Sequence, residues 1–258
     1  MCYNVAYLTK RKQKYAEHHG ETDADVDRLG KQLEAITEKH YNASGFIYPN
    51  LLVVTNKCPD DFQMLTWGMV PFFMRDVAHP KELKWNTLNC VGEKMFETKS
   101  YKNAAEKRRC LICLDGFYEP HHYKGVSYPF FIRHKNDEPM WVAGLWDDNG
   151  HIQTVSLVTV EASPLLSRIH NDKKRMPLIL PHEMRRDWLS ELESPADKDA
   201  LRELIQPYDD ELLTTYSVPP IRSNKKLGRE AAGDTPEALE EYHYDALPEE
   251  YYKEVIGA

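Results

Sequence analysis

The chain has 258 residues, 41% of them hydrophobic, and a formal net charge of -8, which is enough apolar material for the core of one large domain or two small ones. No stretch approaches the roughly 18 consecutive apolar residues that span a bilayer, and the segment after Cys2 runs into TKRKQKYAEHH without the apolar centre of a secretory signal, so a cytoplasmic setting without a membrane partner is expected. Cys2, Cys58, Cys90, Cys110 and Cys113 make an odd set of five, which suits reduced thiols rather than a disulfide framework.

In chain order, TDADVDRLGKQLEAITEKHY spaces Val26, Leu29, Leu33 and Ile36 three or four apart, with Thr22 or Asp23 as a cap, and predicts an amphipathic helix. NLLVVTN and QMLTWGMV read as short strands around a turn at CPDD, and SYKNAAEKRR as a shorter helix. From Cys110 the pieces CLICLDGFYE, SYPFFIRHK, MWVAGLW and IQTVSLVTVE, punctuated by NDEP and DDNG, predict a β-meander. PHEMRRDWLSELES and PADKDALRELIQ, each with Pro near its start, predict a helical hairpin, and LLTTYSV a returning strand. No repeat or linker divides residues 1–222, which are expected to form one α+β domain with a mostly antiparallel core. Residues 223–258 form an acidic extension holding Tyr242, Tyr244, Tyr251 and Tyr252, a composition that predicts draping over the domain.

Several stretches bear chemistry. Met is removed when a small residue follows it, so Cys2 is a candidate mature amino terminus, unless Cys is simply one of the residues tolerated there. A free α-amine titrates near ~8 and a thiol near ~8.5; together they condense with an aldehyde to an imine and close a five-membered thiazolidine. Asn89 and Glu93 in TLNCVGEKMFE fall at a strand-to-helix junction, where an amide either caps the helix or orients a ligand. Glu119 in CLDGFYEP follows Phe117 and Tyr118; desolvation there raises a carboxyl pKa into the range of acid/base work, whereas at the surface it is an ordinary glutamate. His170 in SRIHNDKKRMPLIL is either an acid/base at a pocket mouth or a structural histidine. Trp67, Phe72 and Phe73 in LTWGMVPFF fill a core or, if exposed, stack on unpaired bases. Cys110-x-x-Cys113 has no second cysteine pair, and the adjacent His121 and His122 point apart on a strand and suit a solvated loop, so neither metal nor cofactor is expected.

The acidic balance opposes a nucleic-acid partner, but its distribution softens the objection: residues 223–258 hold four basic and nine acidic residues, and EKRR and DKKR are locally basic. Taken together, the second-position Cys, WG-x-x-P at Trp67 to Pro71, LN-x-x-GE at Leu88 to Glu93, RRCL-x-x-x-DGFYE at Arg108 to Glu119 and IHN-x-KKRMP at Ile169 to Pro177 resemble the SOS response-associated peptidase family, also described as abasic-site processing proteins. The resemblance covers roughly residues 1–220. It implies an antiparallel, barrel-like β core flanked by helices, a monomer, and a groove for single-stranded DNA in which Cys2 forms a thiazolidine crosslink with abasic sites. It further implies that Asn89 positions Cys2 and the sugar, that Glu119 shuttles protons and that His170 assists sugar ring opening. Trp67, Phe73, Lys94, Arg108, Lys174 and Arg175 then face DNA. Where the family commonly has C-G-R and N-A-R, this chain has Tyr3-Asn4 and Cys90-Val91, so two arginines near phosphates are missing. Two alternatives stand beside the crosslinker: a cysteine peptidase acting through Cys2 on its own amino terminus or on peptides, and a noncovalent single-strand binder.

Overall fold

The structure is a computed structural model and describes residues 2–223, 228 and 230–256. Met1 and residues 224–227, 229, 257 and 258 lie outside the described residues, and with them the expected loss of Met1 and part of the acidic extension. Short strands alternate with helices: β1 (Asn4–Tyr7), α1 (Lys12–His19), α2 (Asp23–Glu34), β2 (His40–Ser44), β3 (Asn50–Thr55), β4 (Cys58–Trp67), β5 (Asn89–Val91), α3 (Lys102–Lys107), β6 (Arg109–Leu114), β7 (Gly116–Tyr123), β8 (Val126–His134), β9 (Met140–Asp148), β10 (Gln153–Glu161), α4 (Pro164–Ile169), β11 (Arg175–Pro177), α5 (Arg185–Leu189), α6 (Pro195–Glu203), β12 (Leu213–Ser217) and α7 (Glu249–Ile256).

One sheet runs β12-β8-β7-β1-β2 and is antiparallel throughout. In the other, β4, β3, β6, β9 and β10 pair in succession and β10 returns to β4, so the ladder closes into a barrel, with β5 and β11 attached to β10. Closure explains the composition: β6 is buried at every position, as expected of a strand with the barrel interior on one side and packed elements on the other. The expected α+β class with a mostly antiparallel, barrel-like core is what forms; only the β10 pairings with β4 and β5 are parallel. Among the described residues, no helix is long and apolar enough to cross a membrane.

Several local expectations need correction. CPDD opens β4, and the turn lies at Asn56-Lys57 between the paired Thr55 and Cys58. The meander is split between sheets, because CLICLDGFYE is two strands: β6 belongs to the barrel and β7 to the open sheet. Gly116 permits that corner, since a Cβ there would lie 2.1 Å from Phe131 Cζ and 2.6 Å from the Ile132 carbonyl oxygen. Asp115 holds the corner by accepting hydrogen bonds from the Thr9 amide at 2.8 Å and the Tyr15 hydroxyl at 2.6 Å. The first helix of the hairpin shortens to a single 3-10 turn plus α5, whereas α2 forms as expected, with Thr22 and Asp25 in a reciprocal capping box and Leu29 and Leu33 buried.

The described part of the extension packs on the open sheet. Tyr244 donates to the Val218 carbonyl at 2.7 Å, the Tyr251 ring lies 4.0 Å from that of His121, and Asp234 accepts the amides of Tyr41 and Asn42 at 2.7 and 2.8 Å on edge strand β2.

Candidate active site

Pairing of β1 with β7 sets Asn4 opposite Tyr118 and Val5 opposite Phe117, and the same antiparallel register carries Cys2 and Tyr3 alongside Glu119 and Pro120. Cys2 is fully buried. Burial, reinforced by the neighbouring Glu119 carboxyl, pushes its thiol well above the ordinary range. The Asn89 side-chain amide donates to the Cys2 carbonyl oxygen at 2.7 Å. Asn89 is itself fixed by the pairing of β5 with β10 opposite Leu157 and by the Tyr101 hydroxyl, which donates to its carbonyl at 3.1 Å. Its amide oxygen is buried and has no hydrogen-bond partner among the described residues. Asn89 thus anchors the Cys2 backbone through its amide nitrogen, and its amide oxygen is not engaged in a helix cap.

Glu119 and His170 come from distant parts of the chain and meet here. Glu119 lies on the face of β7 shared with Phe117 and His121, 1% exposed, and desolvation raises its pKa to about 8. His170 follows the last turn of α4, and burial lowers its pKa to about 4. The His170 Nδ1 atom is 2.9 Å from the Arg175 carbonyl oxygen and 3.1 Å from Glu119 Oε2. A carbonyl oxygen only accepts, so Nδ1 carries the ring proton. The Glu119 oxygens, although close, lie outside hydrogen-bonding geometry and remain unpartnered among the described residues. Both shifts favour a neutral pair at pH 7, a carboxylic acid beside an uncharged imidazole, and so a buried proton donor and acceptor next to Cys2. A cavity of about 440 Å³ opens over the pair, lined among others by Tyr3, Asn4, Glu119, His170, Lys173 and Arg222.

The residues expected to face DNA are less uniform. Phe73 is 40% exposed, edge-on to Phe72, with the Lys99 ammonium 5.7 Å from its ring centroid. Trp67 corrects the expectation: it is fully buried and its indole N–H donates to the Leu88 carbonyl at 2.8 Å, so it has no face to offer a base. Arg175 is also corrected as a free phosphate ligand, because its guanidinium is bonded through two nitrogens to the Glu93 carboxylate at 2.9 and 2.7 Å. Arg108 pairs with buried Asp147 at 2.9 Å and lies over the Phe72 ring. Lys94 and Lys174 are exposed. His121 and His122 lie on β7 rather than in a loop, the first buried and the second exposed, and among the described residues no group of three or more His, Cys, Asp or Glu side chains is placed to hold a metal. Tyr3 and Arg222 of the cavity were not singled out as site residues, for neither belongs to a recognisable spacing.

Residues 1–223 match the family model described as SOS response associated peptidase. The abasic site processing protein YoqW of Bacillus subtilis is 26% identical over 219 residues, covering 80% of this chain and 90% of YoqW. The abasic site processing protein HMCES of Mus musculus is 30% identical over 208 residues, 68% of this chain and 55% of the mouse protein. A crystal structure of a protein from Bacteroides thetaiotaomicron has the same fold, with a TM-score of 0.75 over 94% of this chain and 100% of the other, at 24% identity.

Proposed function

The chain belongs to the SOS response associated peptidase family, and we propose that it processes abasic sites in single-stranded DNA by bonding covalently to them through Cys2. In this reading, loss of Met1 frees the Cys2 α-amine. The amine adds to the C1′ aldehyde of the ring-opened deoxyribose, and the carbinolamine loses water to give an imine. The thiol then adds across the imine: sulfur bonds to C1′, the proton passes to nitrogen, and a thiazolidine is formed. Glu119, held as an acid by its desolvation, protonates the departing hydroxyl, and the Glu119–His170 pair relays protons as the sugar ring opens and the thiazolidine closes. Asn89 holds the Cys2 carbonyl and so fixes the direction in which the amine emerges.

The observation that carries the proposal is the convergence on residue 2 of a fixed backbone tether and a buried neutral acid–base pair. The raised Cys2 thiol favours this chemistry over a peptidase: thiolate-first attack on an amide needs a lowered pKa, whereas here the amine reacts first and the thiol meets an already activated carbon. The test is a denaturing gel of tag-free protein, with a free Cys2 confirmed by mass, mixed with a single-stranded oligonucleotide carrying one abasic site. A heat-stable shifted band that requires the abasic site and disappears in Cys2→Ser is expected. Absence of the band from mass-verified protein would overturn the crosslinking chemistry, and retained shift in a native gel would then identify a noncovalent binder.

A further inference from the structure

We propose that Arg222 is the phosphate-binding cation of this site, gripping the DNA backbone beside the sugar that Cys2 engages; the inference rests on the DNA reading above. Arg222 lines the cavity over Glu119 and His170. Among the described residues it has no carboxylate within 4 Å, whereas the other lining cation, Lys173, lies 3.4 Å from Asp172. Its position is built: one nitrogen donates to the Asn4 side-chain oxygen at 2.8 Å, and the guanidinium lies 4.9 Å over the Phe46 ring centroid. Asn4 is buried and in turn donates to the Asn42 side-chain oxygen at 2.7 Å, and Asn42 donates through its side chain to the Ile221 carbonyl next to Arg222 at 3.3 Å and through its backbone amide to the Asp234 carboxylate at 2.8 Å.

Two amides and an aromatic face therefore hold a guanidinium at the cavity while satisfying only part of its five donors. Neither an amide oxygen nor an aromatic ring neutralises the charge, so an anionic oxygen entering the cavity gains a charge-assisted contact from a side chain already oriented. Arg108 and Arg175 differ in having carboxylates of their own. Asn4 is also one of the positions at which the sequence lacks an expected arginine, and the side chain now there holds a guanidinium that comes from the other end of the domain.

Noncovalent affinity isolates the contact. In a Cys2→Ser background, fluorescence anisotropy of a labelled single-stranded abasic oligonucleotide is measured across salt concentrations, with and without Arg222→Gln or Arg222→Lys. One phosphate contact contributes a slope of about 0.7 in log affinity against log salt on single strands, so Arg222→Gln is expected to flatten the slope by about 0.7 and weaken low-salt binding roughly tenfold. Arg222→Lys should keep the slope and lose part of the affinity, a split that a purely structural role would not produce. Melting curves identify any variant whose fold is disturbed, for which Arg222→Lys supplies the comparison. Binding by the parent with an unchanged slope in folded Arg222→Gln overturns this proposal alone. No binding by the parent to either abasic or intact oligonucleotide overturns the DNA reading and this one together.

Discussion

Glu119→Gln should make the protein more stable and less active, with a gain that depends on pH in a calculable way. Glu119 is 1% exposed and its pKa rises from 4.5 to about 8 on burial. The folded state therefore holds the proton more tightly than the unfolded chain, so the stability this group contributes is complete below about 4.5 and is lost as pH rises towards 8. Each pH unit in that window costs about 1.4 kcal/mol, and at pH 7 the loss is about 3 kcal/mol. Glutamine keeps the shape without titrating, and neither Glu119 oxygen has a hydrogen bond to lose among the described residues. At about 2 °C per kcal/mol for a chain of this size, Glu119→Gln is expected to raise Tm by roughly 6 °C at pH 7, with the gain vanishing near pH 4.5. Thermal melts from pH 4.5 to 8.5, on both proteins with the same verified amino-terminal mass, measure the difference, and the crosslinking gel should show the variant slowed. A variant less stable than the parent at pH 7, or a difference flat across pH, would refute the reasoning.

The partner histidine carries the opposite sign. With its pKa lowered from 6.5 to about 4, His170 contributes stability that is present above 6.5 and lost as pH falls towards 4; burial lowers His18 to about 4 as well, so His170→Gln should shrink that acid limb in a plot of Tm against pH without abolishing it, and an unaltered limb would place the sensitivity elsewhere. Trp67→Phe removes the indole donor from the Leu88 carbonyl, which keeps the Leu157 amide at 3.0 Å, and a loss of about 0.5–1.5 kcal/mol in chemical unfolding is expected with oligonucleotide affinity unchanged; the reverse pattern would return Trp67 to the DNA surface. Gly116→Ala drives a methyl into Phe131 and the Ile132 carbonyl, and recovery of folded protein should collapse; parental yield and Tm would show that the sheet-changing corner is more pliant than its packing indicates.

Much of the fold was legible because periodicity survives in the amphipathic pieces. Leu29 and Leu33 of α2 are buried on schedule, with Thr22 capping the first turn, and β12 returns to pair with β8. Connectivity was not legible. CLICLDGFYE is continuously strand-like, and its change of sheet at Asp115-Gly116 follows from groups far away in sequence, Thr9 and Tyr15. CPDD looks like a turn on composition, but register with β3 places its residues at the head of β4, because pairing across the barrel outweighs local turn preference.

The candidate site divides along a different line. Cys2, Asn89, Glu119 and His170 converge because each lies at an element end or on a buried face fixed by β pairing. The cationic surface was harder to read, since a sequence records where arginines occur but not which acids they meet. Arg108-Arg109 ends one of the basic runs, yet Arg108 pairs with Asp147, and the wholly buried Arg109 donates to the Ala105, Trp188 and Ser190 carbonyls. Arg175 closes on Glu93. A run of like charge therefore predicts neither an interface nor its absence. What decides is whether a cation retains an uncompensated charge once the fold has assigned its partners, and by that measure a solitary Arg222, between a proline pair and the acidic extension, has more to offer a phosphate than either arginine of the basic run.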